Sequence, residues 1–264
     1  MQLKAVILAG GLGTRMREET EYRPKPMVEI GGKPILWHIM KNLYDQGIDD
    51  FVILVGYKGQ VIKQYFLNYA GLNSDFSITL SKPDEVTYHP TAGVSAQEGW
   101  RVTVLDTGLE TLTAGRLARA KPHLSEGPFL LTYGDGLADV DVESLTKFHN
   151  RSGTVATITI ANPVNRFGVV DVDENGLVTA FREKPKGIDS VNIGYMIFEH
   201  QIFNYLVADE PLETGPLPSL AREAKLSAFR HDGFFHAMDT VRDQAQLNEI
   251  WESGRAPWAT WVGR

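Results

Sequence analysis

The sequence predicts a single α/β domain: a largely parallel, mixed sheet with helices on both faces. Three observations predict it. The run Ala5-Val6-Ile7-Leu8-Ala9 is short, continuously apolar and closed by glycine, as expected of a strand buried on both faces. The stretch 34–46 carries Ile35, Leu36, Ile39, Met40 and Leu43 at helical spacing, with Pro34 in its first turn and Gly47 behind it. Residues 51–55 and 59–69 then repeat the pair, the second helix through Val61, Ile62, Tyr65 and Phe66. Strand, helix, strand, helix at this spacing is a βαβ pattern, hence Rossmann-like.

Composition narrows the function. The chain has 264 residues, 43% hydrophobic and 22% charged, which is ordinary for a globular protein with a sizeable core. A formal charge of −7 argues against nucleic acid as partner, because a phosphate backbone repels an acidic surface. A nucleotide needs only a local basic pocket. No apolar run reaches the length of a membrane span, and no signal peptide is expected ahead of the first strand. Cysteine is absent, which removes disulfides and thiolate zinc sites. A cytoplasmic enzyme is the expectation.

Along the chain, 75–80 alternates like a strand. The stretch 81–99 has no clear period and reads as a long excursion with a short strand near Val86. Residues 100–106 return to a strand, and a helix opens near Thr113 with Leu117 and Ala120 on one face. The next buried strand, 128–132, runs into Tyr133-Gly134-Asp135-Gly136. Asp139 and Asp141 read as the first-turn acid and cap of a helix reaching about His149. Strands follow at 154–161, 168–172 and 177–182, the last two joined by a hairpin signal at Asp173-Glu174-Asn175-Gly176. Residues 191–198 form a buried strand broken by Gly194. After a strand at 226–229, a helix spans 241–252 with Asp239 or Thr240 as cap. His38 falls inside the first helix and reads as a packed histidine.

The candidate chemistry lies at strand ends. Gly10, Gly11 and Gly13, then Thr14 and Arg15, form a loop whose backbone amides can approach anionic oxygens. The dinucleotide fingerprint fails here, since Met16 stands where a third small residue belongs, and no Walker motif is present. Lys25 sits between Pro24 and Pro26, which stiffen its backbone and argue against a helix, beside this phosphate loop. Asp135, between glycines at a strand's carboxyl end, is a turn cap or, beside a phosphate loop, a ligand for Mg²⁺. Arg116 is placed as a donor fork: cytosine offers acceptors at O2 and N3, whereas uracil carries hydrogen on N3.

The segments Gly10-Gly11-Leu12-Gly13-Thr14-Arg15, Pro24-Lys25-Pro26-Met27 and Ile30-Gly31-Gly32-Lys33-Pro34-Ile35 resemble the signature of the sugar-phosphate nucleotidyltransferases. Residues 25–40 are most similar to the glucose-1-phosphate cytidylyltransferase branch. The resemblance covers nearly the whole chain and implies a fold of nucleotidyltransferase type, with a nucleotide-binding half over about 1–150 and a sugar-phosphate half over about 151–264. It implies CTP and a sugar 1-phosphate, foremost glucose 1-phosphate, as substrates, Mg²⁺ as cofactor and a homo-oligomer. Other acceptors, UTP or dTTP in place of CTP, and a non-catalytic nucleotide-sugar sensor are the alternatives.

By residue, the resemblance implies Arg15 and Lys25 as catalytic cations. It sets Leu8, Gly10, Gly11, Gly13, Thr14, Arg15, Thr111, Arg116, Gly134 and Asp135 around the nucleotide. Lys184 (in Glu183-Lys184-Pro185), Asn192, Gly194 and Glu213 fall on the sugar phosphate, and Asp135 with Asp239 on the metal. Two departures bear on the acceptor. Ile193 replaces a glycine, and Gly215 stands where a second glutamate is expected, so an added side chain and a lost acceptor are expected to reshape the sugar pocket.

Overall fold

The computed structural model describes residues 3–89, 99–124, 127–162, 169–172, 177–182 and 190–262. Its centre is a seven-stranded sheet. The chain enters through β1 (Lys4–Ala9), α1 (Ile35–Asp45), β2 (Asp50–Val55), α2 (Gly59–Leu67) and β3 (Arg101–Asp106). Then come α3 (Thr113–Ala120), β4 (Phe129–Tyr133), α4 (Val142–Ser152) and β5 (Ala156–Ala161). It closes with β6 (Val191–Phe198), α5 (Pro216–Arg222), β7 (Leu226–Arg230) and α6 (Val241–Glu252). The strand order is β7-β5-β6-β4-β1-β2-β3. Only β6 runs against its neighbours β4 and β5; the other pairings are parallel.

Strand alternation divides the core into two layers. Ala5, Ile7, Phe51, Ile53 and Ile197 face one layer, covered by α1, α4 and α6 through Ile35, Ile39, Leu145 and Leu247. Val6, Leu8, Val52, Leu54 and Phe198 face the other, covered by α3 and α5 through Leu117 and Leu220. The mixed sheet with helices on both faces is as expected. In register, Leu8 lies opposite Leu54 and Tyr133, so β1, β2 and β4 end level and their following loops share one rim.

Two local readings change, and two hold. The short strand expected near Val86 is present but longer: Lys82–His89 pairs antiparallel with Asp75–Thr79 as a hairpin whose residues are nearly all exposed. Residues 90–98 lie outside the described residues. An exposed hairpin lacks the one-sided apolar period by which strands are read, which is why the sequence marks the second strand only near Val86 and not its extent. Val169–Val172 and Val178–Arg182 do pair antiparallel, while 173–176 lie outside the described residues. Asp141 caps α4, accepting from the Ser144 amide at 3.0 Å. Asp139 does not belong to that helix; it accepts from the Phe234 amide at 2.6 Å and meets His231 Nε2 at 3.1 Å.

His38 is buried among Trp37, Trp251, Trp258 and Trp261, which fasten the C-terminal segment to α1. Its Nδ1 accepts from the Trp258 indole at 3.3 Å, so its Nε2 carries the hydrogen and donates to the Ile30 carbonyl at 2.8 Å. Burial lowers its pKa from 6.5 to about 4, against the raising effect of the Ile30 bond. The unfolded imidazole takes a proton near pH 6.5 while the folded one stays neutral to about pH 4. The stabilisation is therefore complete above pH 6.5 and is lost as pH falls toward 4, about 3 kcal/mol in all. Urea midpoints measured from pH 7 to 4 should fall more steeply for the wild type than for His38→Gln. Equal slopes would refute the assignment.

Candidate active site

The rim where β1, β2 and β4 end holds a cavity of about 360 Å³. Leu8, Gly10, Gly11, Gly13, Thr14, Arg15, Lys25, Thr111, Arg116, Gly134, Asp135 and Asp239 all line it. Local chemistry explains the wall. Gly13 takes a left-handed φ of 63°, which turns the chain from β1 into the short turn Thr14–Met16. The Gly134 amide donates to the Leu8 carbonyl at 2.9 Å, fixing the β4 exit against β1. Lys25 opens a single 3₁₀ turn, Lys25–Met27, after the extended Pro24; the prolines forbid a longer helix, not one turn.

Asp135 and Asp239 are 104 residues apart in sequence and meet through a short antiparallel pair. Gly136–Ala138 pairs with Phe235–Ala237, Gly136 opposite Ala237, and the Met238 amide donates to the Asp135 carbonyl at 2.8 Å. The Asp139 contact to Phe234 anchors the same loop. Thr240, not Asp239, caps α6, in a capping box with Asp243. That leaves the Asp239 carboxylate free to enter the cavity.

There the Lys25 ammonium bridges the two acids, 2.6 Å from Asp135 Oδ2 and 2.7 Å from Asp239 Oδ1. Arg15 Nη1 takes the other Asp239 oxygen at 2.9 Å. Partial burial opposes ionisation of Asp239, but the bond and charge of Lys25, with Arg15, outweigh it and hold its pKa below the ordinary carboxylate value. One small cation thus reaches both carboxylates. Among the described residues no third acid or histidine joins them, which suits a hard divalent ion that keeps waters and substrate phosphates as its remaining ligands.

Arg116 is 5% exposed and its fork is turned onto the chain itself. Nη1 donates to the Val55 carbonyl, Thr107 Oγ1 and the Gly108 carbonyl at 3.2, 2.6 and 2.8 Å. Nη2 donates to the Gly10 and Leu109 carbonyls, each at 3.1 Å. The guanidinium ties β1, β2 and the loop after β3 together at the base of the cavity. A methyl group on Gly10 would overlap it, so that glycine makes room for the arginine.

The second cluster lies beside Tyr133, a residue that the sequence reading passed over as part of a strand end. Tyr133 lines the cavity and its hydroxyl donates to Glu213. Burial, with Glu213 beside it, raises its pKa, so it remains the donor. Gly194 has φ 85°, and a side chain there would strike the Tyr133 ring. Asn192 Oδ1 accepts from the Gly194 amide at 3.0 Å and shapes that bend. Asn192, Gly194 and Glu213 flank the cavity rather than line it. Lys184 lies outside the described residues.

Both departures that the resemblance assigns to the sugar look different in three dimensions. Ile193 is 4% exposed and points into the core layer of Tyr195 and Ile197, so it adds no bulk to the pocket. The Glu210 carboxylate occupies the space in which a Gly215 side chain would begin. A carboxylate therefore stands at that position, supplied from five residues upstream.

The nucleotidyl transferase family profile matches residues 4–225. The chain belongs to the nucleotidyltransferase family. Within it, this nucleotidyltransferase is 46% identical to the glucose-1-phosphate cytidylyltransferase of Salmonella typhi, over 98% of this chain and 100% of the relative. A probable glucose-1-phosphate cytidylyltransferase of Bacillus subtilis is 41% identical over the same shares. Among solved structures, HddC from Yersinia pseudotuberculosis complexed with GMP-PN superposes with a TM-score of 0.68 at 24% identity, over 95% of this chain and 100% of that one. UDP-glucose pyrophosphorylase complexed with UDP-glucose gives 0.68 at 18% identity, over 97% and 100%. These two likenesses concern the fold.

Proposed function

We propose that this nucleotidyltransferase transfers CMP from CTP to glucose 1-phosphate, giving CDP-glucose and pyrophosphate. The observation that carries the reading is one cavity in which two cations and two carboxylates converge, in a chain 46% identical over its length to a glucose-1-phosphate cytidylyltransferase. A sugar-phosphate oxygen attacks the α-phosphorus, a new P–O bond forms, and the bond to the β-phosphate breaks with its electron pair leaving on pyrophosphate. A phosphate monoester has its second pKa near about 6, so the nucleophile is anionic at neutral pH and needs no general base. The barrier is charge repulsion, and Arg15 and Lys25 counter it at the phosphates. Asp135 and Asp239 would hold Mg²⁺, which supplies charge neutralisation on the triphosphate. Thr14 and the glycine loop shape the phosphate wall.

For the base, Arg116 has four terminal hydrogens and five acceptors, so its fork is oversubscribed. A cytosine N3 can replace one carbonyl without leaving a donor unpaired, whereas the N3 of uracil carries a hydrogen and cannot accept. Pyrophosphate release should favour CTP over UTP by about 10²-fold with glucose 1-phosphate. Equal rates would overturn the base assignment, and a faster rate with another sugar 1-phosphate would overturn the acceptor. Glucose is favoured because Ile193 is buried away from the cavity and the Glu210 carboxylate stands where a Gly215 side chain would begin.

No helix among the described residues is long and apolar enough to cross a membrane. A second copy of the chain is the proposed partner of the sheet edge at β3, which has no further strand among the described residues. There β3, the sheet's last strand, lies near an apolar hollow lined by Phe66, Tyr69, Trp100 and Val102. The hairpin 75–89 leaves Phe76, Leu80 and Tyr88 exposed, and a two-stranded ribbon is marginal without a cover. Light scattering should find an oligomer; a monomer at micromolar concentration would remove this partner.

A further inference from the structure

Both cations that the reaction needs at the phosphates are engaged elsewhere in this structure. Lys25, with a side chain only 12% exposed, spans Asp135 and Asp239, and Arg15 holds the remaining Asp239 oxygen. Two positive and two negative groups close on one another as a neutral cluster. We propose that Lys25 is an internal stand-in for the divalent ion, a latch that keeps free metal out until a triphosphate arrives. This rests on the reading of Asp135 and Asp239 as the metal site.

The argument is one of charge. A divalent ion entering alone must share the carboxylates with an ammonium 2.6 to 2.7 Å from their oxygens. The alternative is to drive Lys25 off them into a cavity that offers it no other anion among the residues lining it. Neither is favourable. A triphosphate changes the balance, because it gives Lys25 and Arg15 new anionic partners as the metal takes over the carboxylates. Every charge then stays paired through the exchange. Metal and nucleotide binding are coupled, and by linkage each tightens the other. The backbone need not move: Pro24 and Pro26 hold Lys25 in its turn, and only the side chain swings between acids and phosphate.

The test uses Mn²⁺ as probe, followed on the protein by water-proton relaxation, without nucleotide. Lys25→Met keeps the length of the side chain and removes its charge. It should bind Mn²⁺ at least about tenfold tighter than the wild type, because the competing cation is gone. Mn²⁺ should also raise the melting temperature of Lys25→Met more than that of the wild type. Adding Asp135→Asn to Lys25→Met should abolish both gains. Equal or weaker affinity in Lys25→Met overturns the latch. If Mn²⁺ then binds both proteins once CTP is added, with no acceptor present, the metal site stands and only the latch has failed. If Mn²⁺ stays off the protein even with CTP, the metal reading falls with it.

Discussion

Replacing Lys25 with alanine should lower kcat by about 10²- to 10³-fold, the range for removing one preorganised electrostatic group from a transition state. The cost should appear mainly in kcat, since the charge matters most as the bond to pyrophosphate breaks. Folding should survive. The turn Lys25–Met27 is set by its prolines and by the buried Pro26 and Met27, none of which depend on the ammonium. Circular dichroism serves as the control. A Lys25→Ala protein with native spectrum and near-normal kcat would remove Lys25 from the reaction. The same variant separates two roles of one side chain, because chemistry is lost while access of free metal to Asp135 and Asp239 is gained.

Arg116→Ala should be the most damaging change at the base of the cavity: it should destabilise the fold for use of either nucleotide and erase the preference for CTP over UTP. Truncation takes the fork from the carbonyls of Gly108 and Leu109, and leaves that of Val55 to Thr107 and that of Gly10 to the Tyr57 amide. A buried acceptor stripped of a charged donor costs about 1–3 kcal/mol, and several are affected together. A loss of roughly 4 kcal/mol, with melting lowered by about 10 °C, is the expected scale. Arg116→Lys should rescue little, because an ammonium cannot span five acceptors held in a fixed fork. Unchanged melting in Arg116→Ala, with only CTP use impaired, would mean that the fork serves the base and not the loops.

The sequence by itself determined the βαβ pattern, the parallel sheet and most of the residues that line the cavity. Those signals are local: an apolar run, a 3.6-residue period, or glycines followed at once by Thr14 and Arg15. The residues of the glycine loop are neighbours in the chain, so their order already states their geometry. Resemblance extended this to Lys25, Asp135 and Asp239, which are not neighbours.

Only the tertiary structure decided what those residues face. The pair Gly136–Ala138 and Phe235–Ala237 brings Asp135 to Asp239, and no local period announces a three-residue bridge across nearly 100 residues. Which of Asp239 and Thr240 caps α6 depended on where the carboxylates point, and Asp243 completes the box with Thr240. Arg116 reads as an outward fork in one dimension, yet carbonyls from three segments of the rim converge on it. Ile193 and Gly215 looked like changes to the sugar pocket. Strand alternation buries the first, and the Glu210 carboxylate fills the place of the second. The physical reason is common to all four. Secondary structure follows from the chain's near neighbours, whereas charge pairing and side-chain space are settled by whichever distant segment packs alongside.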